Sequence, residues 1–161
     1  MFLKYLAILM VVVMFVAIGA TAYIYLNSNV EIVALNVQAI NASDYRDLFL
    51  KNKEDIANET FEGTIFQNWE LDDIENYTYL SYQIRLKNNT FLPIEGIEVQ
   101  IFPRTGDVFQ IGDFEYKTLQ SKNSGDISAT ILTLKNTQTV REFLISYYVW
   151  GIPFTLRKTY G

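Results

Sequence analysis

From Tyr5 to Leu26 the chain reads YLAILMVVVMFVAIGATAYIYL, 22 residues without a single charge. About 20 apolar residues, rising about 1.5 Å each in a helix, span the hydrocarbon core of a bilayer, so this run reads as a transmembrane helix. Lys4 is the only charged side chain before Glu31. By the positive-inside rule, residues 1–4 form a cytoplasmic stub and everything after Leu26 lies outside. Tyr5, Tyr23 and Tyr25 stand near the two ends of the run, where amphipathic rings favour the headgroup region. The competing reading is a signal sequence cleaved after Ala22, because Ala20-Thr21-Ala22 has the small-x-small form that signal peptidase accepts. Tyr23-Ile24-Tyr25-Leu26 continues the apolar run past that point, which suits an uncleaved signal anchor better. Either way residues 27–161 are exported, and the expected location is the cell membrane, in a single pass.

Composition narrows the chemistry. The chain has neither Cys nor His, which removes disulfides, thiolate and imidazole metal sites, and catalysis by either side chain. Thirteen Lys and Arg against 18 Asp and Glu leave a net charge of −5, the wrong sign for a protein that binds nucleic acid by neutralising phosphates. No motif for a cofactor occurs, and the protein is expected not to be an enzyme.

Residues 27–161 read as one extracytoplasmic domain. Val30–Ile40 is β-branched and apolar between Asn-rich turns, a first strand. Ser43 is a candidate N-cap for one short inserted helix whose apolar face carries Tyr45, Leu48, Phe49 and Ile56. Thr60–Gln67 reads as a short strand, and Trp69–Asn76 as an acidic connection. Tyr77–Asn88 alternates cleanly, with Leu80, Tyr82, Ile84 and Leu86 on one face and Ser81, Gln83, Arg85 and Lys87 on the other. Further strands are expected over Ile94–Phe102, over Phe109–Leu119 with a break at Gly112, and over Ile127–Leu134. A last hairpin joins Val140–Trp150 to Phe154–Thr159 around Gly151-Ile152-Pro153. Seven or so strands at about ten-residue spacing predict an all-β antiparallel sandwich, each strand burying one face against the opposing sheet.

The stretch from Tyr82 to Ile101, YQIRLKNNTFLPIEGIEVQI, has an alternating strand that ends in an Asn turn at Asn88 and Asn89, then Pro93-Ile94 and a second alternating strand. In this it resembles the LEA14-like, or water-stress-and-hypersensitive-response, group of late-embryogenesis-abundant type 2 domains. The family's next reversal looks like Gly106 through Leu134, and its closing hairpin like Phe143 through Lys158. Thr90 stands where many members have Pro, and Ser43–Asn76 is longer than the usual first connection. The resemblance implies an immunoglobulin- or fibronectin-III-like sandwich with no catalytic residues, and roles in stress protection or at membranes.

Four N-x-Ser/Thr sequons fall at Asn41, Asn58, Asn76 and Asn88, against about 1.5 expected by chance, and mark candidate glycosylation sites at turns. The acidic run Glu70, Asp72, Asp73, Glu75 lacks the spacing and central Gly of a calcium loop and reads as solvated. Aromatic residues make up 15% of the chain. If some form a binding platform, it lies on the face of the last hairpin that alternates with the core: Leu144, Ser146, Tyr148 and Trp150. Three functions follow as expectations. The leading one is a membrane-anchored interaction or stress-protection module with a protein or cell-envelope partner. The alternatives are an accessory subunit of a membrane complex or surface filament, and a secreted carboxylate-dependent hydrolase, which requires a cleft holding a perturbed Asp or Glu.

Overall fold

The computed structural model describes residues 2–67, 70–112 and 117–160. Helix α1 spans Phe2–Asn27 and is long and apolar enough to cross a membrane. Apolar side chains cover all its sides and nearly all are exposed, unlike the single apolar stripe of a helix lying on a soluble domain. After Ser28 and Asn29 come β1 (Val30–Asn41), a 3-10 turn (Ala42–Tyr45), α2 (Arg46–Ala57) and β2 (Gly63–Ile65). β3 (Tyr77–Asn88), β4 (Ile94–Phe102), β5 (Asp107–Ile111), β6 (Ser124–Leu134), β7 (Arg141–Val149) and β8 (Ile152–Tyr160) complete the chain.

These strands form two antiparallel sheets, ordered β1-β3-β6-β5-β2 and β4-β7-β8. They face each other as a sandwich. Leu80, Tyr82, Ile84 and Leu86 of β3 meet Phe143, Ile145, Tyr147 and Val149 of β7 within one apolar core. The alternation that places each of these residues inward is the period of the strand itself. Tyr82 packs edge-on to Phe143 with ring centroids 4.9 Å apart, and its hydroxyl donates to Thr139 O at 2.7 Å.

The larger sheet is covered on its outer face too. Phe49 of α2 packs with Tyr77 and Tyr79 of β3, Phe109 of β5 and Leu132 of β6 in a second cluster, and Asn52 donates to the Tyr79 hydroxyl at 3.2 Å. This corrects the expectation of one wet face for β3, which holds only from Ser81 onward. Phe49 and the partly buried Leu48 and Ile56 form the helix face as expected, whereas Tyr45 is exposed. Ser43 does not cap α2. It lies in the 3-10 turn, and Tyr45 holds the N-cap position without a side-chain bond.

Other boundaries move for local reasons. β5 ends at Ile111, and residues 113–116 of the expected Phe109–Leu119 strand lie outside the described residues. β6 starts at Ser124, because Ser124–Asp126 pair with Arg85–Lys87 of β3. The closing turn is Trp150-Gly151, not Gly151-Ile152-Pro153. Val149 pairs with Ile152 across it, and both turn residues have positive φ, 50° and 77°, as a two-residue type I′ hairpin requires.

Burial pushes the phenols of Tyr79 and Tyr82 up from 10.0 to about 12. A phenol with a raised folded pKa stabilises the fold fully below its unfolded pKa, and that contribution fades as pH rises from 10 towards 12. Alkaline titration should therefore show near-ultraviolet circular dichroism lost cooperatively in that window, together with the last rise in tyrosinate absorbance. Complete tyrosine ionisation near pH 10 with the dichroism intact would contradict the burial of these two rings.

Candidate interaction surface

The three-stranded sheet presents the outer face of β7 at its centre. Leu144 is half-buried and lies between Gln100 of β4 and Arg157 of β8; Ser146 lies between Glu98 and Thr155, and Tyr148 between Glu95 and Pro153. Arg157 donates to both carboxylate oxygens of Glu142, Nη2 to Oε2 at 3.0 Å, and its guanidinium sits 5.0 Å from the centre of the Phe102 ring. The expected row from Leu144 to Trp150 is therefore interrupted. Polar and charged neighbours flank Leu144, and the exposed aromatics Tyr148 and Trp150 gather at one end of the sheet. Trp69 lies outside the described residues.

That end is where α1 joins the sandwich. Ile24 is 5% exposed and belongs to the sandwich core. Its neighbours pair with rings of the domain, Tyr23 with Phe91 at 5.4 Å and Tyr25 with Phe154 at 5.7 Å between centroids. Asn89 N donates to Asn29 O at 2.9 Å, holding the β3–β4 turn against the short connection. An open pocket of about 360 Å³ remains, lined by Ala20, Tyr23 and Ile24 of the helix and by Phe91, Leu92 and Trp150 of the domain. Phe91 is 48% and Trp150 70% exposed. The alternation of the last hairpin points to Trp150, whereas Phe91 stands inside a turn and carries no periodic signal.

The sequons separate by burial. Asn41, Asn58 and Asn76 are exposed at strand, helix and turn ends. Asn88 is fully buried, and its Nδ2, the atom a glycan would occupy, donates to Leu92 O, Leu119 O and Gln120 O at 2.9, 3.0 and 3.2 Å. Asn88 is thus a structural side chain, and the expectation of a glycan there does not fit the folded domain.

The acidic run is tied up locally. Asp73 Oδ1 accepts from Glu75 N, Asp72 from Asn76 Nδ2, and Glu75 pairs with Lys135 at 3.3 Å. Among the described residues, no group of three or more Asp or Glu converges as a metal would need. A second cavity, of about 270 Å³, has Leu86, Ile97, Leu119 and Ile127 in its lining, together with Lys117 and one carboxylate, Asp126. Arg85 holds that carboxylate in two bonds of 2.7 and 2.8 Å, and this bonding lowers the pKa of Asp126. Arg157 lowers that of Glu142 in the same way. Both shifts run opposite to what a general acid needs. No protein-family model matches this chain, and comparison with curated protein sequences finds no match.

Proposed function

We propose that this is a membrane-anchored, non-enzymatic module whose immunoglobulin-like domain works outside the membrane by contact with a protein or cell-envelope partner. The observation that carries the reading is the junction. A helix apolar on all sides is joined through only Ser28 and Asn29 to a domain whose core holds its residue Ile24. A helix of that kind needs an apolar solvent, and a lipid bilayer provides one. Anchoring would confine the domain to the membrane surface and raise its effective concentration towards membrane-proximal partners. With Lys4 inside, the domain would lie outside the cell.

The immunoglobulin-like assignment rests on strand order. β1-β3-β6-β5 against β4-β7-β8 follows the constant-type ABED and CFG arrangement, with β2 added beside β5. The resemblance to LEA14-like domains implies such a sandwich, together with a stress-protection role. The accessory-subunit or filament alternative is supported by a different observation. Among the described residues, β1, 12 residues long, and β8, nine residues long, are sheet edges with no further strand beside them, and unpaired edges template strand addition.

Purification of the tagged full-length chain from native membranes in mild detergent tests both readings. Recovery at the mass of the whole chain, with a stoichiometric partner, is the expected result. A soluble chain beginning at Tyr23 would overturn the anchor.

A further inference from the structure

Among the described residues, the pocket at the junction has no charged wall, and its two halves come from the apolar helix and from the domain. With Lys4 at the inner boundary, about 20 residues at about 1.5 Å each carry the hydrocarbon core from Tyr5 to Ile24. Ala20 then lies about 6 Å below Ile24, within the core. Trp150 and Phe91 line the same pocket as Ala20, so their rings sit at or just inside the boundary on the domain's side. Tyr23 and Tyr25 are at the same level.

The backbone at Trp150 points the same way. A type I′ turn usually places Asn, Asp or Gly where φ is positive, yet here an indole occupies the first position at φ 50° and is 70% exposed. A bulky side chain held in that region at a hairpin tip is strained. Interfacial depth is where Trp, with its apolar body and polar N–H, is most favoured.

Taking the membrane-anchored reading as its basis, we propose that this end of the sandwich is itself a lipid-binding surface. Phe91 and Trp150 insert into the adjoining leaflet, and the upper acyl chain of a phospholipid fills the pocket against Ala20 and Tyr23. The domain then rests on the bilayer at a fixed tilt and does not swing on its connection, which leaves the faces away from α1 for its partner.

The test uses the full-length chain with Trp69→Phe, so that Trp150 is the only tryptophan, reconstituted in phosphatidylcholine nanodiscs. Bromines are placed high on the acyl chains in one preparation and near the bilayer centre in another. Where Trp69→Phe impairs folding, the difference in emission between the unaltered chain and Trp150→Phe gives the same readout. Expected are blue-shifted emission and at least about twofold quenching by the shallow bromines, with less by the deep ones. Alkaline extraction of the same samples reports anchoring separately. A chain that stays with lipid while Trp150 is unquenched by either bromine position and open to aqueous iodide overturns the docking alone. A chain released by alkali overturns the anchor and the docking together.

Discussion

Arg141→Met should lower the unfolding free energy by about 3 to 5 kcal/mol, the usual result of removing one partner from a buried ion pair. Neither side chain of the Arg141–Asp107 pair is exposed. Nη2 meets Oδ1 at 2.6 Å and Nε meets Oδ2 at 2.8 Å, while Nη1 donates to Gln138 O and Val140 O. Arg104 N adds a further bond to Asp107 Oδ2 at 2.8 Å. Asp107 opens β5 in the larger sheet and Arg141 opens β7 in the smaller one, so the pair ties the two layers together at one rim. Without the arginine, a carboxylate stays in a site that water does not reach. The double variant Asp107→Leu with Arg141→Met should recover most of the loss, because an apolar replacement of the whole pair avoids desolvating either charge. Urea unfolding of the three proteins in mild detergent measures this. A loss below about 1 kcal/mol for Arg141→Met would mean that the pair is solvated in solution and does not join the sheets.

Much of the sandwich was legible because its strands obey one rule. β3 runs Tyr77–Asn88, as its alternation predicts, and β4 runs Ile94–Phe102, because burial against a facing sheet acts on every second residue. The rule failed where a third layer intervenes. Tyr77 and Tyr79 have the parity of a wet face, but Phe49 and Asn52 of α2 cover them, and contacts between distant segments leave no local period. The Arg141–Asp107 pair is hidden for the same reason, since its members stand 34 positions apart. The helix run was plain from hydropathy alone. Its seating was not, because Phe91 reaches Tyr23 through the fold and not through any pattern in its own turn. Trp150 was found by alternation, but its position in the turn depends on register, which shifted the reversal to Trp150-Gly151.

Asn88→Ala should cost about 1 to 3 kcal/mol, and Asn88→Asp at least as much. One amide at this position serves three carbonyls, Leu92 O, Leu119 O and Gln120 O, and its Oδ1 accepts from Thr90 N at 2.9 Å. Alanine strands Thr90 N, at about 1 to 3 kcal/mol for a buried group left unpaired, and removes one of two donors from each carbonyl: Leu92 O keeps Thr90 Oγ1, Leu119 O keeps Ile94 N and Gln120 O keeps Asn123 N. Aspartate keeps the bond to Thr90 N but turns a carboxylate oxygen towards three carbonyl oxygens, so repulsion adds to the lost bonds. Urea midpoints of the full-length variants in mild detergent measure the losses, and a loss below about 1 kcal/mol for Asn88→Ala would show that the turn holds together without its side chain. Peptide mapping of the unaltered chain after expression in a glycosylating host adds a second check, with no glycan expected on Asn88. The turn also connects stability to the proposed lipid docking. Its Asn89 N bonds Asn29 O beside the end of α1, and it carries Phe91 against Tyr23. On the membrane-anchored reading, loosening it should reduce bromolipid quenching of Trp150 while the chain still resists alkaline extraction, because the helix would need only its own apolar surface to stay in the bilayer, whereas the proposed seating of the domain would need this turn.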